Sequence, residues 1–177
     1  MAFAPSLQNK YTLCSSLDPA FDLPSIPELP ANPTTADIEA RNKASEARMH
    51  AWTVAKDTNG WAAITKPGEK PTEFNCVPIH GPRLEWLNGE VNRKSLTQGE
   101  AAMLAFRLGV VSIVNFPIKL SWLKQTPGDG FRVLDIESLQ PLFDIGRDVG
   151  DPNLGSTIVL EIGAAIWERA VYGVPLS

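Results

Sequence analysis

Prolines stand at positions 24, 27, 30 and 33, in the stretch "LPSIPELPANP", and six of the chain's 15 prolines lie before residue 34. Proline removes a backbone donor and clashes with the preceding turn, so no α-helix runs through such a segment. Polyproline II has three residues per turn and rises about 3.1 Å per residue, which gives residues 23–33 a reach of about 34 Å. The same period stacks the four prolines on one edge and Leu23, Ile26 and Leu29 on a second. Only Ser25, Glu28 and Ala31 make up the third edge. Residues 1–33 therefore read as an extended, proline-rich arm with an apolar ridge suited to lying against protein, either its own body or another chain.

The next stretch, "TTADIEARNKASEARMHAWTVAKDTNG", has the opposite character. Thr34 or Thr35 caps a helix with Asp37 and Glu39 in its first turn, and Gly60 stops it. The apolar face of this charged helix, residues 34–59, is thin: Ile38, Ala44, Ala51, Trp52 and Ala55. Trp52 stands out, because its ring either packs on the body or meets a partner.

From residue 60 to 177 the pattern alternates between short strands and helices. Trp61–Lys66, a turn at Pro67-Gly68 and Glu73–Val77 read as strand, turn and strand, closed by Pro78. A helix starts at Pro82 and carries Leu84, Leu87 and Val91 on one face. "SLTQGEAAMLAFRLGVVSIVNF" holds the best local signal, a capping box of Thr97 and Glu100 with Leu96 as its staple. Ala101, Leu104, Ala105, Leu108 and Val111 form one stripe, widened by Phe106, Val110 and Val114 nearly all the way round, so a buried central helix is expected over about 98–113. "IKLSWLK" and "FRVLDI" flank an Asp129-Gly130 turn and form a second hairpin. Asp135 caps a short helix with Leu139, Leu142 and Phe143. Ser156 caps a last helix with Val159, Leu160, Gly163, Ile166, Trp167 and Ala170 inward, ended by Gly173 and Pro175. The fold class expected is α+β: a mainly helical single domain with one or two short β-hairpins behind the extended arm.

Charge and cysteine usage exclude several function classes. The net charge is −4, made up of −2 over residues 1–33, 0 over 34–60, +1 over 61–96 and −3 over 97–177. No basic stripe emerges, so neither nucleic acid nor an anionic membrane surface is the expected partner. The longest apolar run, near "LGVVSIVNF", is far short of the ~20 residues a membrane span needs. "MAFAPSLQNK" lacks a charged start followed by a long apolar run, and two cysteines, Cys14 and Cys76, are too few for a disulfide framework. The expectation is a cytosolic chain with reduced thiols.

Candidate chemistry is sparse. Cys76 and His80 are four apart, like half a zinc site, but Cys14 and His50 provide no second pair. The same two residues are the only basis for a small-enzyme reading with a thiol nucleophile and a base, and no oxyanion-hole glycines accompany them. Asp144, Asp148, Asp151 and Asn153 lack the alternate-residue spacing and closing glutamate of a calcium loop. Gly128 and Gly130 precede no Gly-Lys-Ser/Thr, so they cradle no phosphate. No catalytic residue, cofactor, metal or small-molecule ligand is expected.

"PGEKPTEFNCVPI", "GEAAMLAFRLGVVSIVNF", "GFRVLDIESLQPLFDI" and "IVLEIGAAIWERA" follow one another in an order, over about residues 65–170, that resembles the tail assembly chaperone-like small proteins of long-tailed bacteriophages. The arm and the charged helix depart from that pattern. The resemblance implies a non-enzymatic assembly factor in the host cytoplasm that coats the apolar tape-measure protein and hands it to tail-tube subunits. Leu23, Ile26, Leu29 and Trp52 are the expected partner-binding residues. The alternative is a virion subunit of the tail or head–tail connector whose arm docks on a neighbour, a form of self-association.

Overall fold

The computed structural model describes residues 10–124 and 131–172. Thr97 Oγ1 accepts from the Glu100 backbone N–H, while the Glu100 carboxylate accepts from the Thr97 N–H at 2.8 Å. This box opens helix α3, Gln98–Gly109. The helix ends earlier than residue 113, because Val110–Val114 leave it directly as strand β3. The reason is the run Val110, Val111, Ile113 and Val114: β-branched side chains lose rotamer freedom in a helix and fit a pleated surface.

Strand β1, Tyr11–Leu13, and strand β2, Glu73–Cys76, complete a three-stranded antiparallel sheet in the order β1-β2-β3. Tyr11 stands opposite Cys76 and Leu13 opposite Phe74, and Phe74 in turn stands opposite Ile113. The expected arm of residues 1–33 is thus corrected: its Tyr-Thr-Leu stretch, free of proline, is an edge strand with Leu13 fully buried. The second sheet is the hairpin expected from sequence, strand β4 Trp122–Lys124 against strand β5 Arg132–Leu134. Its turn, with Gly128, Asp129 and Gly130, lies outside the described residues, as do Gly173 and Pro175.

Helix α2, Pro82–Lys94, has proline in its first turn and buries Leu87. Asp135 caps a 3₁₀ turn, Ile136–Leu139, that leads into the four-residue helix α4, Gln140–Phe143. Helix α5, Leu154–Tyr172, starts two residues before Ser156, whose hydroxyl instead donates back to the Asn153 carbonyl. Its buried side is Ile158, Val159, Ile162, Ala165 and Ile166, with Gly163 against the Ala102 backbone. Leu160, expected inward, is exposed. Phe74 and Phe106 meet edge-on at the centre, 5.7 Å apart. Thirteen elements in this mix make the fold α+β and mainly helical, among the described residues.

The chain divides into two units, Met1–Ser15 with Thr72–Ser177, and Ser16–Pro71. The boundary expected at residue 60 therefore moves to 71. The second unit holds helix α1, Thr35–Thr58, capped by Thr34 and Asp37 in a reciprocal box and ended by Asn59 in the left-handed conformation. Trp61–Ile64 is a 3₁₀ turn rather than the first limb of a hairpin. Trp61 stacks on Phe21, centroids 5.8 Å apart, and residues 20–22 run beside 64–66 through Asp22 N–H to Ile64 O and Lys66 N–H to Ala20 O. A strand at 61–66 would alternate faces, and Ala62 and Ala63 offer nothing to bury on either.

A candidate protein-binding surface

The arm residues are placed first. Ile26 and Leu29 are 41% and 37% exposed, while Leu23 is half-buried. The Arg48 guanidinium on α1 donates to the carbonyls of Pro24, at 3.2 Å, and Ser16. The ridge is thus held at its start and open along the rest. Trp52 is corrected: it is only 5% exposed, tilted against Trp61 at 6.3 Å with the Lys56 ammonium over its outer face. Its ring belongs to the core of its own unit and offers no contact surface.

Among the described residues of the other unit, two grooves border the start of α3. The larger, about 660 Å³, has Trp86 on α2, Leu96 just before α3, Met103 and Leu104 on α3, Val133 on β5 and Leu160 on α5. The second, about 570 Å³, runs from Val91 across Ala101 and Ala102 to Ala164 and Trp167. Leu96 and Thr97 line both. Their common origin is the excess of apolar residues on α3. One face of that helix packs on α5 and the sheet, and Met103 and Leu104 on the next face are left half-buried.

The charges at the rim of the larger groove are already engaged. Glu90 accepts from Lys94 at 2.7 Å and from Arg93, and these bonds hold its carboxyl below the usual range. Glu100 is locked in the capping box, and the Thr97 backbone N–H likewise lowers its titration. Arg107 Nε donates to the Leu134 carbonyl at 2.7 Å. A partner therefore gains chiefly from the apolar floor, whose burial contributes about 25 cal/mol per Å².

The remaining candidates are not assembled into a site. Cys76 is fully buried, its thiol donates to the Phe74 carbonyl, and desolvation pushes its titration far up. A reactive cysteine needs the reverse shift. His80 is exposed, and Cys14 is a buried thiol outside any disulfide. No group of three metal-ligating side chains occurs among the described residues. Asp144 takes Arg147 and Gln140, and Asp151 accepts from the Asn153 N–H, so that loop is tied to itself. No helix among the described residues is long and apolar enough to cross a membrane.

The sequence reading missed Trp86, Met103, Leu160 and Trp167 as surface residues. Its signal was present as surplus: α3 reads apolar nearly all round, more than one packed face requires. Comparison of the chain with protein-family models, with curated proteins and with solved structures finds no match.

Proposed function

We propose that the protein is a non-enzymatic assembly factor that covers the apolar surface of another protein chain. The observation that supports this reading most is the pair of grooves meeting at Leu96 and Thr97, the larger with an apolar floor and rim charges satisfied internally. The exposed Ile26 and Leu29 add a second apolar element on the other unit. A chaperone for exposed apolar stripes needs such surfaces and no reactive group. With the resemblance to tail assembly chaperone-like proteins, the partner class is the tape-measure or tail-tube protein of a long-tailed bacteriophage, met in the host cytoplasm.

The test is co-expression with the tape-measure and tail-tube proteins of the same phage, followed by pull-down at low and high salt. Leu160→Asp sits on an exposed position, so the fold is expected to persist. Losing one buried leucine contact removes about 1.5–3 kcal/mol, so capture is expected to weaken at least ~10-fold. Capture that is unchanged by Leu160→Asp and by a triple Leu23, Ile26 and Leu29 to Ser variant refutes the reading. The arm's open ridge also favours a second reading, a virion subunit docking on its neighbour. Mass spectrometry of purified particles decides between the two, because an assembly chaperone is absent from them.

A further inference from the structure

Beyond the grooves, Tyr11, Cys76, Arg83 and Arg169 gather at the end of the three-stranded sheet. Tyr11 and Cys76 face each other across β1 and β2. The Arg169 guanidinium, from the last turns of α5, lies over the Tyr11 ring at 4.2 Å. Arg83, at the start of α2, donates to the carbonyls of Leu108 and Pro78 at the edge of the same sheet. Its Nε is buried without a hydrogen-bond partner.

Among the described residues the acceptors at this cluster are backbone carbonyls, Pro78 and Leu108 for Arg83 and Phe74 for the Cys76 thiol. Neither guanidinium forms an ion pair among the described residues. Both act electrostatically on the Tyr11 phenol, yet burial, the larger effect, pushes its titration far up. It is therefore a protonated donor at neutral pH, and Cys76 is protonated for the same reason. Burial also lowers the Arg83 titration, the sign of a cation short of compensation. Two half-buried cations with no ion-pair partner among the described residues are unfavourable unless something negative completes them.

We infer that Arg83, Arg169 and Tyr11 form a binding site for a carboxylate group presented by a protein partner. A guanidinium fork matches a planar carboxylate, and the orphan Arg83 N–H and the Tyr11 hydroxyl add donors of the same sense. A chain of net charge −4 without a basic stripe is not built to gather a phosphate backbone, so a single acidic group is favoured over nucleic acid. The site stands apart from the grooves, and its failure leaves the groove reading intact.

The experiment is an NMR titration of the ¹⁵N-labelled protein, following the arginine Nε–H resonances. Sodium acetate is compared with sodium chloride at equal ionic strength, and then with inorganic phosphate. The expected result is a saturable acetate shift of Arg83 and Arg169, weakened at least tenfold by Arg169→Gln. Arg83→Gln is expected to do the same, but it also removes bonds to two backbone carbonyls and puts folding at risk. Arg169 makes no hydrogen bond to the described residues, so its variant loses only the stacking on Tyr11, about 0.5–2 kcal/mol, stays folded and carries the test. Shifts that match chloride without saturating overturn the inference. So does saturation that survives Arg169→Gln, or saturation by phosphate and not by acetate.

Discussion

Gly163→Ala is expected to destabilise the protein by about 1–3 kcal/mol, although alanine is the better helix former. In an exposed helix interior the same exchange gains up to about 1 kcal/mol. At position 163 a Cβ would stand 2.0 Å from the Ala102 carbonyl oxygen and 2.6 Å from its carbon. The obstacle is backbone, which cannot turn aside as a side chain does, so α3 and α5 must separate. The packing between them, Ala105, Phe106, Ile162 and Ile166, then loosens together. Gly89→Ala on α2 provides the control, because a Cβ there meets nothing within 4 Å. That variant is expected to gain about 0.5–1 kcal/mol. Urea unfolding midpoints read both. Equal stabilisation by the two exchanges would show that the helices do not cross closely at Gly163.

This crossing also marks what the sequence made legible. A glycine inside an apolar helix was visible as an inward position, but not its partner, because Ala102 lies some sixty residues away. Most local signals held where the stabilising contact is local, the cap expected at Ser156 being the exception. Thr97 with Glu100, Asp135 above its 3₁₀ turn and Pro82 at a helix start are each settled within one turn of chain. Strand β1 was absorbed into the arm because its only partner, β2, lies more than sixty residues on, and three residues carry no period. Trp61 was read as a strand start for a related reason. Its conformation follows from a ring stack on Phe21, forty residues earlier. Helix α3 was drawn past Gly109 because hydrophobicity alone does not separate helix from strand in a run of valines.

The candidate surface follows the same division. Leu23, Ile26 and Leu29 stood out as a ridge because a three-residue period is local, and the structure leaves Ile26 and Leu29 exposed. Trp52 was misjudged because its neighbours on the helix are charged, while its true contacts, Trp61 and Lys56, are set by the end of the helix and the turn after it. The grooves needed three helices and a strand to be assembled before Trp86 and Leu160 faced the same space. Their residues looked like core from the sequence, because only the packing arrangement says which apolar face is left over.

Trp61→Ala is expected to unfold the unit Ser16–Pro71 while leaving the Phe74–Phe106 core in place. The buried apolar residues of that unit are few: Ala20, Phe21, Trp52, Ala55, Trp61 and Pro71. Trp61 touches both other rings, stacked on Phe21 and tilted against Trp52. Truncating a buried tryptophan costs about 3–5 kcal/mol. Helix α1 has no other support of that size, since residues 35–51 include no buried side chain. Most helical stability in proteins comes from packing, so without its rings α1 is left with propensity and its end caps alone. Hydrogen exchange is the measurement. Protection over Thr35–Thr58 is expected to fall to that of a free peptide, while the amides of Gln98–Gly109 stay protected. Met49→Ala, at an exposed site on the same helix, is expected to change α1 protection by no more than about 0.5 kcal/mol. If α1 keeps its protection after Trp61→Ala, the three aromatic rings are not what holds that unit together.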